Sequence, residues 1–220
     1  MITVYAESPF VMQLALRQEH AVRCDALLGQ AAKKTIDLAL PIVALVEPLY
    51  TWRVRANDRL RLGNEWKRQI GQWQRTEAVT YKDAAVALNE AVLKAAAIDG
   101  EERLSIDAAI TRVSAACRLL PLEPDLFSAA YRLEAKALTS IDAVVAATIL
   151  HDARALAAAD KRAVADDRAA GHDRALLAFD GKAINAAVEA DFVTLGVKVF
   201  RRPDALAGWL DSLGVPGQVF

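Results

Sequence analysis

Two cysteines, three histidines and no glycine-rich phosphate loop are all that this 220-residue chain offers to several large classes of chemistry. Cys24 and Cys117 sit in apolar helical patterns without metal-type spacing, so both read as buried free thiols. His20, His151 and His172 are scattered, and none is assigned a ligand role. A nucleophile-elbow motif is lacking as well. No apolar run reaches the roughly 18 residues needed to span a bilayer without a charge or proline, which speaks against a membrane protein. The chain opens on the strand-like Met1-Ile2-Thr3-Val4-Tyr5 and not on a leader pattern, so a reducing, cytoplasmic setting is expected. Net charge is only −1, which gives no global attraction to nucleic acid or membrane. Aromatics are sparse at 6%. What is plentiful is alanine within a 54% hydrophobic composition, enough to bury the core of one helix-rich domain.

The pattern along the chain predicts an α/β fold. Residues 2–6 read as a buried strand, with Ser8-Pro9 as an N-cap followed by proline in the first turn. Helices are expected over about 9–17 and 19–33, and a strand over 36–40. Pro41 then opens a helix that carries Glu47 about two turns in. From about Leu49 to Cys117 no convincing strand is found. Helical spacing covers Tyr81 to Ile98, breaks at Asp99-Gly100 and resumes from Leu104 to Leu119, as in a long helical hairpin. Leu120-Pro121-Leu122 reads as an extended link, and a helix from Glu123-Pro124 to about Ala137 follows. Ser140 is the expected cap of the next helix. The alanine- and charge-rich stretch 153–173, with Asp160, Asp166, Asp167 and Asp173, reads as a solvated extension. A strand over 174–179, a helix over about 182–190, a strand at 198–200 and a helix over 204–213 close the chain. A single domain with a mostly parallel sheet of about four to five strands is expected. Its core is 1–50 and 121–203, with a helical elaboration over about 51–120.

Four carboxylates stand where strands give way to helices: Glu7, Glu47, Asp142 and Asp180. Each follows or interrupts an apolar stretch, where charge is costly unless paired or bound to a metal. In open α/β sheets, sites form beyond the carboxyl ends of the strands. Carboxylates gathered there repel one another and invite Mg²⁺ or Mn²⁺. Such an ion acidifies water and polarises a phosphodiester, with no histidine required. Each residue also has a plain structural alternative. Asp142 can reinforce a helix start, Glu47 can be a surface residue, Glu7 can cap a helix, and Asp180 can turn the chain before Gly181.

The order and flanks of these residues resemble the PIN-domain ribonucleases, a family that includes VapC-like toxins of bacterial toxin–antitoxin pairs. Val4-Tyr5-Ala6-Glu7-Ser8-Pro9-Phe10 with Leu14-Ala15-Leu16 resembles the first acidic motif, and Leu40-Pro41 through Val46-Glu47 the second. Leu138-Thr139-Ser140-Ile141-Asp142-Ala143 with Ala146-Ala147 is the most specific match and resembles the third. Leu176-Leu177-Ala178-Phe179-Asp180, with Lys182 and the closing Gly196-Val197-Lys198-Val199-Phe200, resembles the fourth. The resemblance implies a three-layer fold with Glu7, Glu47, Asp142 and Asp180 as metal ligands and catalytic residues. It further implies Mg²⁺ or Mn²⁺ as cofactor, RNA as substrate, a homodimer and an antitoxin partner. The first motif departs from the family, which usually has aspartate followed by a small hydroxyl residue and often asparagine. An alternative reading is therefore a PIN-like module that binds RNA or protein with little or no catalysis. The resemblance does not extend to about 51–120.

That middle region carries its own signal. Between residues 52 and 76 seven cations face two carboxylates, Asp58 and Glu65. Arg53, Arg55, Arg59, Arg61, Lys67 and Arg68 are candidate RNA contacts, interleaved with Trp52, Trp66 and Trp73. Trp66 and Trp73 are seven apart, which places them on one helical face and suits a packing role equally well.

Overall fold

The computed structural model describes residues 2–136, 138–165, 173–179 and 184–215. Five parallel strands form one sheet in the order β3-β2-β1-β4-β5. They are β1 (Thr3–Ala6), β2 (Asp37–Pro41), β3 (Arg118–Leu120), β4 (Arg174–Leu177) and β5 (Val197–Phe200). β1 lies between β2 and β4, with Val4 opposite Leu38 and Ala175. All four of its residues are buried, as expected of a central strand covered on both faces.

Helices cover the two faces to make three layers. α1 (Ser8–Ala15), α2 (Ala21–Ala32) and α8 (Pro203–Ser212) pack together on one side, and α5 (Pro124–Glu134), α6 (Ser140–Ala165) and α7 (Ala186–Thr194) on the other. This is the right-handed doubly wound arrangement that parallel crossovers produce. Between β2 and β3 the chain makes a 3-10 turn (Ile42–Leu45) and a long hairpin of α3 (Val46–Trp73) and α4 (Val79–Ala116). At 28 and 38 residues the two helices are about 42 and 57 Å long. Among the described residues no helix is long and apolar enough to cross a membrane.

Several boundaries correct the sequence reading. Helix α4 runs unbroken through Asp99-Gly100. Arg59 reaches across to Asp99 and Glu102, and the Trp52 indole N–H donates to the Asp99 carbonyl at 3.1 Å. These contacts outweigh the roughly 1 kcal/mol that glycine costs a helix interior. The helical pattern read through Leu119 ends at Ala116, because Arg118–Leu120 pairs with β2 as the fifth strand. Glu47 lies in the first turn of α3, not two turns in, since the 3-10 turn intervenes. Helix α7 starts at Ala186, where the Asn185 side chain accepts from the Ala187 and Val188 N–H groups, and not near Lys182. It ends at Thr194, and Gly196, just past the Leu195 cap with a φ of +72°, lets β5 begin at once. Asp160, expected in solvent, forms a largely buried ion pair at 3.0 Å with Arg174.

Burial pushes the Cys24 and Cys117 thiols up to about 12, in keeping with unreactive packing residues.

Candidate functional site

The strand order reverses direction at β1 and β4, and the carboxyl ends of those two strands flank the crevice where open α/β sheets bind ligands. Glu7 follows β1 at that point and is 1% exposed. It occupies the N-cap position of α1 in extended conformation, yet its side chain makes no capping hydrogen bond to the helix. Instead Oε1 accepts the Phe179 backbone N–H at 3.0 Å, which ties the ends of β1 and β4 together. Ser8 is the first residue of α1 and not its cap, and its buried hydroxyl has no hydrogen-bond partner among the described residues.

Glu47 is half-buried and makes no hydrogen bond or ion pair among the described residues. The 3-10 turn that delivers it packs against both α1 and α6, so it lies between the helices that begin beside Glu7 and Asp142.

Asp142 occupies the first turn of α6. The direction of α6 follows from its ion pairs. Asp152 meets Arg118, the first residue of β3, and Asp160 meets Arg174, the first residue of β4. The helix therefore runs antiparallel to the strands, and Asp142 lies about 15 Å back from Asp152, toward the carboxyl edge. Thr139, and not Ser140, caps the helix. Its carbonyl accepts the Ala143 N–H at 2.8 Å, and its hydroxyl accepts the Asp142 N–H at 3.3 Å while donating to Asp142 Oδ2 at 2.6 Å. The Asp142 carboxylate thus helps fix the helix start and keeps Oδ1 available. Thr139→Ala should lower stability by about 1 kcal/mol in thermal unfolding, with Thr139→Ser largely retaining it.

Glu7, Glu47 and Asp142 therefore share the carboxyl edge. Asp180 and Lys182 lie outside the described residues. Among the described residues, no three aspartate, glutamate, histidine or cysteine side chains are close enough to hold an ion together. One neighbour gave no local signal in sequence. The His20 ring packs 5.9 Å from the Phe179 ring, beside the N–H that Glu7 holds, and pairs with Glu19 at 3.1 Å. Their separation of more than 150 positions left nothing in the sequence to connect them.

The strongest electrostatic network lies at the opposite edge. Arg118 donates to Asp37 and Asp152 at 2.7 to 3.2 Å, and the Tyr5 hydroxyl donates to Asp152 at 2.8 Å. Its donors and acceptors satisfy one another, so it reads as a clamp on the starts of β2 and β3.

The candidate RNA contacts divide into two groups. Arg53, Arg55, Arg61, Lys67 and Arg68 are exposed on α3, and Arg61 has only a loose surface pair with Asp58 at 3.8 Å. Arg59 is turned into the hairpin, committed to Asp99 and Glu102. The tryptophans face α4 too. Trp52 bonds Asp99, Trp66 lines a cleft of about 170 Å³ between the helices, and Trp73 packs edge-on against Tyr81. All three are turned toward the hairpin.

Comparison with known protein families, curated proteins and solved structures returned no match.

Proposed function

We propose that the chain is a metal-dependent endoribonuclease of PIN type. The observation that carries this reading is the buried Glu7 at the β1–β4 crevice, supported by Glu47 and Asp142 in the first turns of α3 and α6, in the order and with the flanks of the PIN motifs. A carboxylate that is 1% exposed and anchored by a backbone N–H is a hard oxygen donor of the kind Mg²⁺ or Mn²⁺ accepts. Glu47, Asp142 and Asp180 would have to close on Glu7 to complete the set, since no three described side chains of this kind are near enough to share an ion. The ion would supply charge neutralisation at the phosphodiester and acidify water. The carboxylates' own part is to hold the ion and to orient and deprotonate the attacking water. RNA cleavage assayed with and without Mn²⁺ tests this, with an expected loss in Asp142→Asn. Cleavage that ignores the ion, or an Asp142→Asn variant as active as the parent, would sink the reading. A second copy of the chain and a small antitoxin belong to the same proposal, and rest on the family resemblance alone.

A second reading is an RNA- or protein-binding module without catalysis. It is favoured by the first turn of α1, where Pro9 supplies no amide side chain and Ser8 is buried. Calorimetric titration with Mn²⁺ separates the two. Binding that disappears in Glu47→Gln belongs to the enzyme, and no binding at millimolar ion belongs to the module.

A further inference from the structure

Helix α3 begins one residue before Glu47 and runs outward from the candidate site. Its exposed face carries Tyr50, Arg53, Asn57, Arg61, Asn64, Arg68 and Gln72, at successive intervals of three or four residues, and Arg75 continues the row in the turn just past the helix end. At about 100° per residue the seven helical positions fall within about 100° of arc and extend along about 33 Å. All eight are exposed, and every one is a hydrogen-bond donor. Glu65 and Asp58, the acids of this stretch beyond Glu47, lie at the margin of the row or past it. Tryptophans and Arg59 occupy the other side against α4, with Arg55 beside them and Lys67 at the α3–α4 cleft, so four of the seven cations of this stretch lie on the row or its continuation and three lie off it. The net charge of −1 makes such segregation harder to dismiss as bulk charge.

Arginines separated by amide side chains suit a repeating phosphate backbone. Guanidinium groups neutralise phosphates, while asparagine and glutamine reach sugar and phosphate oxygens without adding charge. We propose that α3 is a rail for a single-stranded polynucleotide, which enters along Arg75, Arg68 and Arg61 and reaches the carboxyl edge past Arg53 and Tyr50. The rail takes on the order of 5–10 nucleotides, within the site sizes of single-strand binding surfaces. Tyr50, one turn from Glu47, offers a ring for the base nearest the cut. Where the strand is cut rests on the nuclease reading, but its binding does not. The rail further implies that the substrate needs a long flank on one side of the scissile bond only.

The test measures binding of fluorescent single-stranded RNA by anisotropy in an Asp142→Asn background, across a salt series. Arg68→Glu/Arg75→Glu should weaken a long strand about tenfold or more and flatten the log–log salt slope by about 1.4. The matched pair Lys33→Glu/Lys34→Glu, on exposed residues after α2, should change neither. In the parent protein, shortening one flank should abolish cleavage and shortening the other should not. Equal weakening by both pairs, no effect of Arg68→Glu/Arg75→Glu, or indifference to flank length overturns the rail. Cleavage that persists with the rail variant unaffected leaves the nuclease reading standing without it. Rail-dependent binding with no cleavage of any RNA removes the nuclease reading and leaves the rail.

Discussion

Glu7→Gln should abolish ion-dependent RNA cleavage, by at least about 100-fold, while leaving the fold intact. The contrast follows from what each atom does. One structural duty of Glu7 is to accept the Phe179 N–H at 3.0 Å, and the carbonyl oxygen of glutamine can do the same. What glutamine cannot supply is the charge that a hard cation needs. Glu7→Ala removes both, leaving the Phe179 N–H without its carboxylate partner and a cavity beside β1, so it should unfold more readily by about 2–3 kcal/mol. Thermal unfolding of the two variants beside cleavage assays separates the roles. A glutamine variant that cleaves normally would reduce Glu7 to a tie between β1 and β4. One that fails to fold would show its charge to be structural.

The strands that build this site were legible because each is a short apolar run buried on both faces. Thr3–Ala6, Asp37–Pro41 and Arg174–Leu177 carry that mark, whereas the edge strand Val197–Phe200, exposed at Lys198, shows only its β-branched and aromatic residues. β3 was not legible as a strand, because Arg118 and Leu119 continue the helical spacing of α4 and only Leu120 reads as extended. What makes it a strand is Arg118 finding Asp37 across the sheet, a contact 81 positions away. The continuity of α4 likewise depends on Arg59 and Trp52, which the local glycine signal does not contain. At the site, Glu7 and Glu47 could be placed after strands from their flanks alone, whereas Asp142, expected at a strand-to-helix junction, opens α6 after another helix, α5. Which hydroxyl caps α6 could not, since Thr139 and Ser140 are adjacent and only the backbone geometry chooses.

The basic segment holds a sharper lesson. Arg59 lies seven residues from both Trp52 and Trp66, on the tryptophan row, and its inward orientation was readable from that spacing. Arg61 and Arg68 stand with the same interval on the outer face, and Arg75 continues it just past the helix end. Counting charges blended the two rows into one patch. Separating them by helical phase distinguishes the arginine that holds the hairpin from those offered to solvent.

Arg118→Ala should destabilise the protein by about 2–3 kcal/mol near neutral pH, and by much less near pH 3. Breaking a fully buried pair costs about 3–5 kcal/mol, and the 38% exposure of Arg118 moves the expectation below that range. The loss arises from what is left behind: Asp37 and Asp152, 13% and 20% exposed, facing each other without their shared guanidinium. Burial works to raise the Asp152 carboxyl, but hydrogen bonds from Arg118 and then Tyr5 outweigh it and hold the group below its usual range. A carboxyl that titrates lower folded than unfolded contributes stability in full above the unfolded value of about 3.9, and loses it as pH falls through the folded value. Without Arg118 the lowering contact is gone, so acid now relieves the charges that destabilise the variant. The parent should weaken on acidification while the variant gains ground on it. Tyr5 acts at the other end of the scale. Burial, with Asp152 adding to it, pushes its phenol well above the usual tyrosine range, so it remains a donor throughout this window. Tyr5→Phe should therefore cost about 1–2 kcal/mol at neutral pH, through the hydrogen bond that Asp152 loses. Urea unfolding of the parent and both variants at pH 7 and pH 3 measures all of this. A difference for Arg118→Ala under about 1 kcal/mol and equal at the two pH values would mean that water screens the clamp as it does an ordinary surface pair.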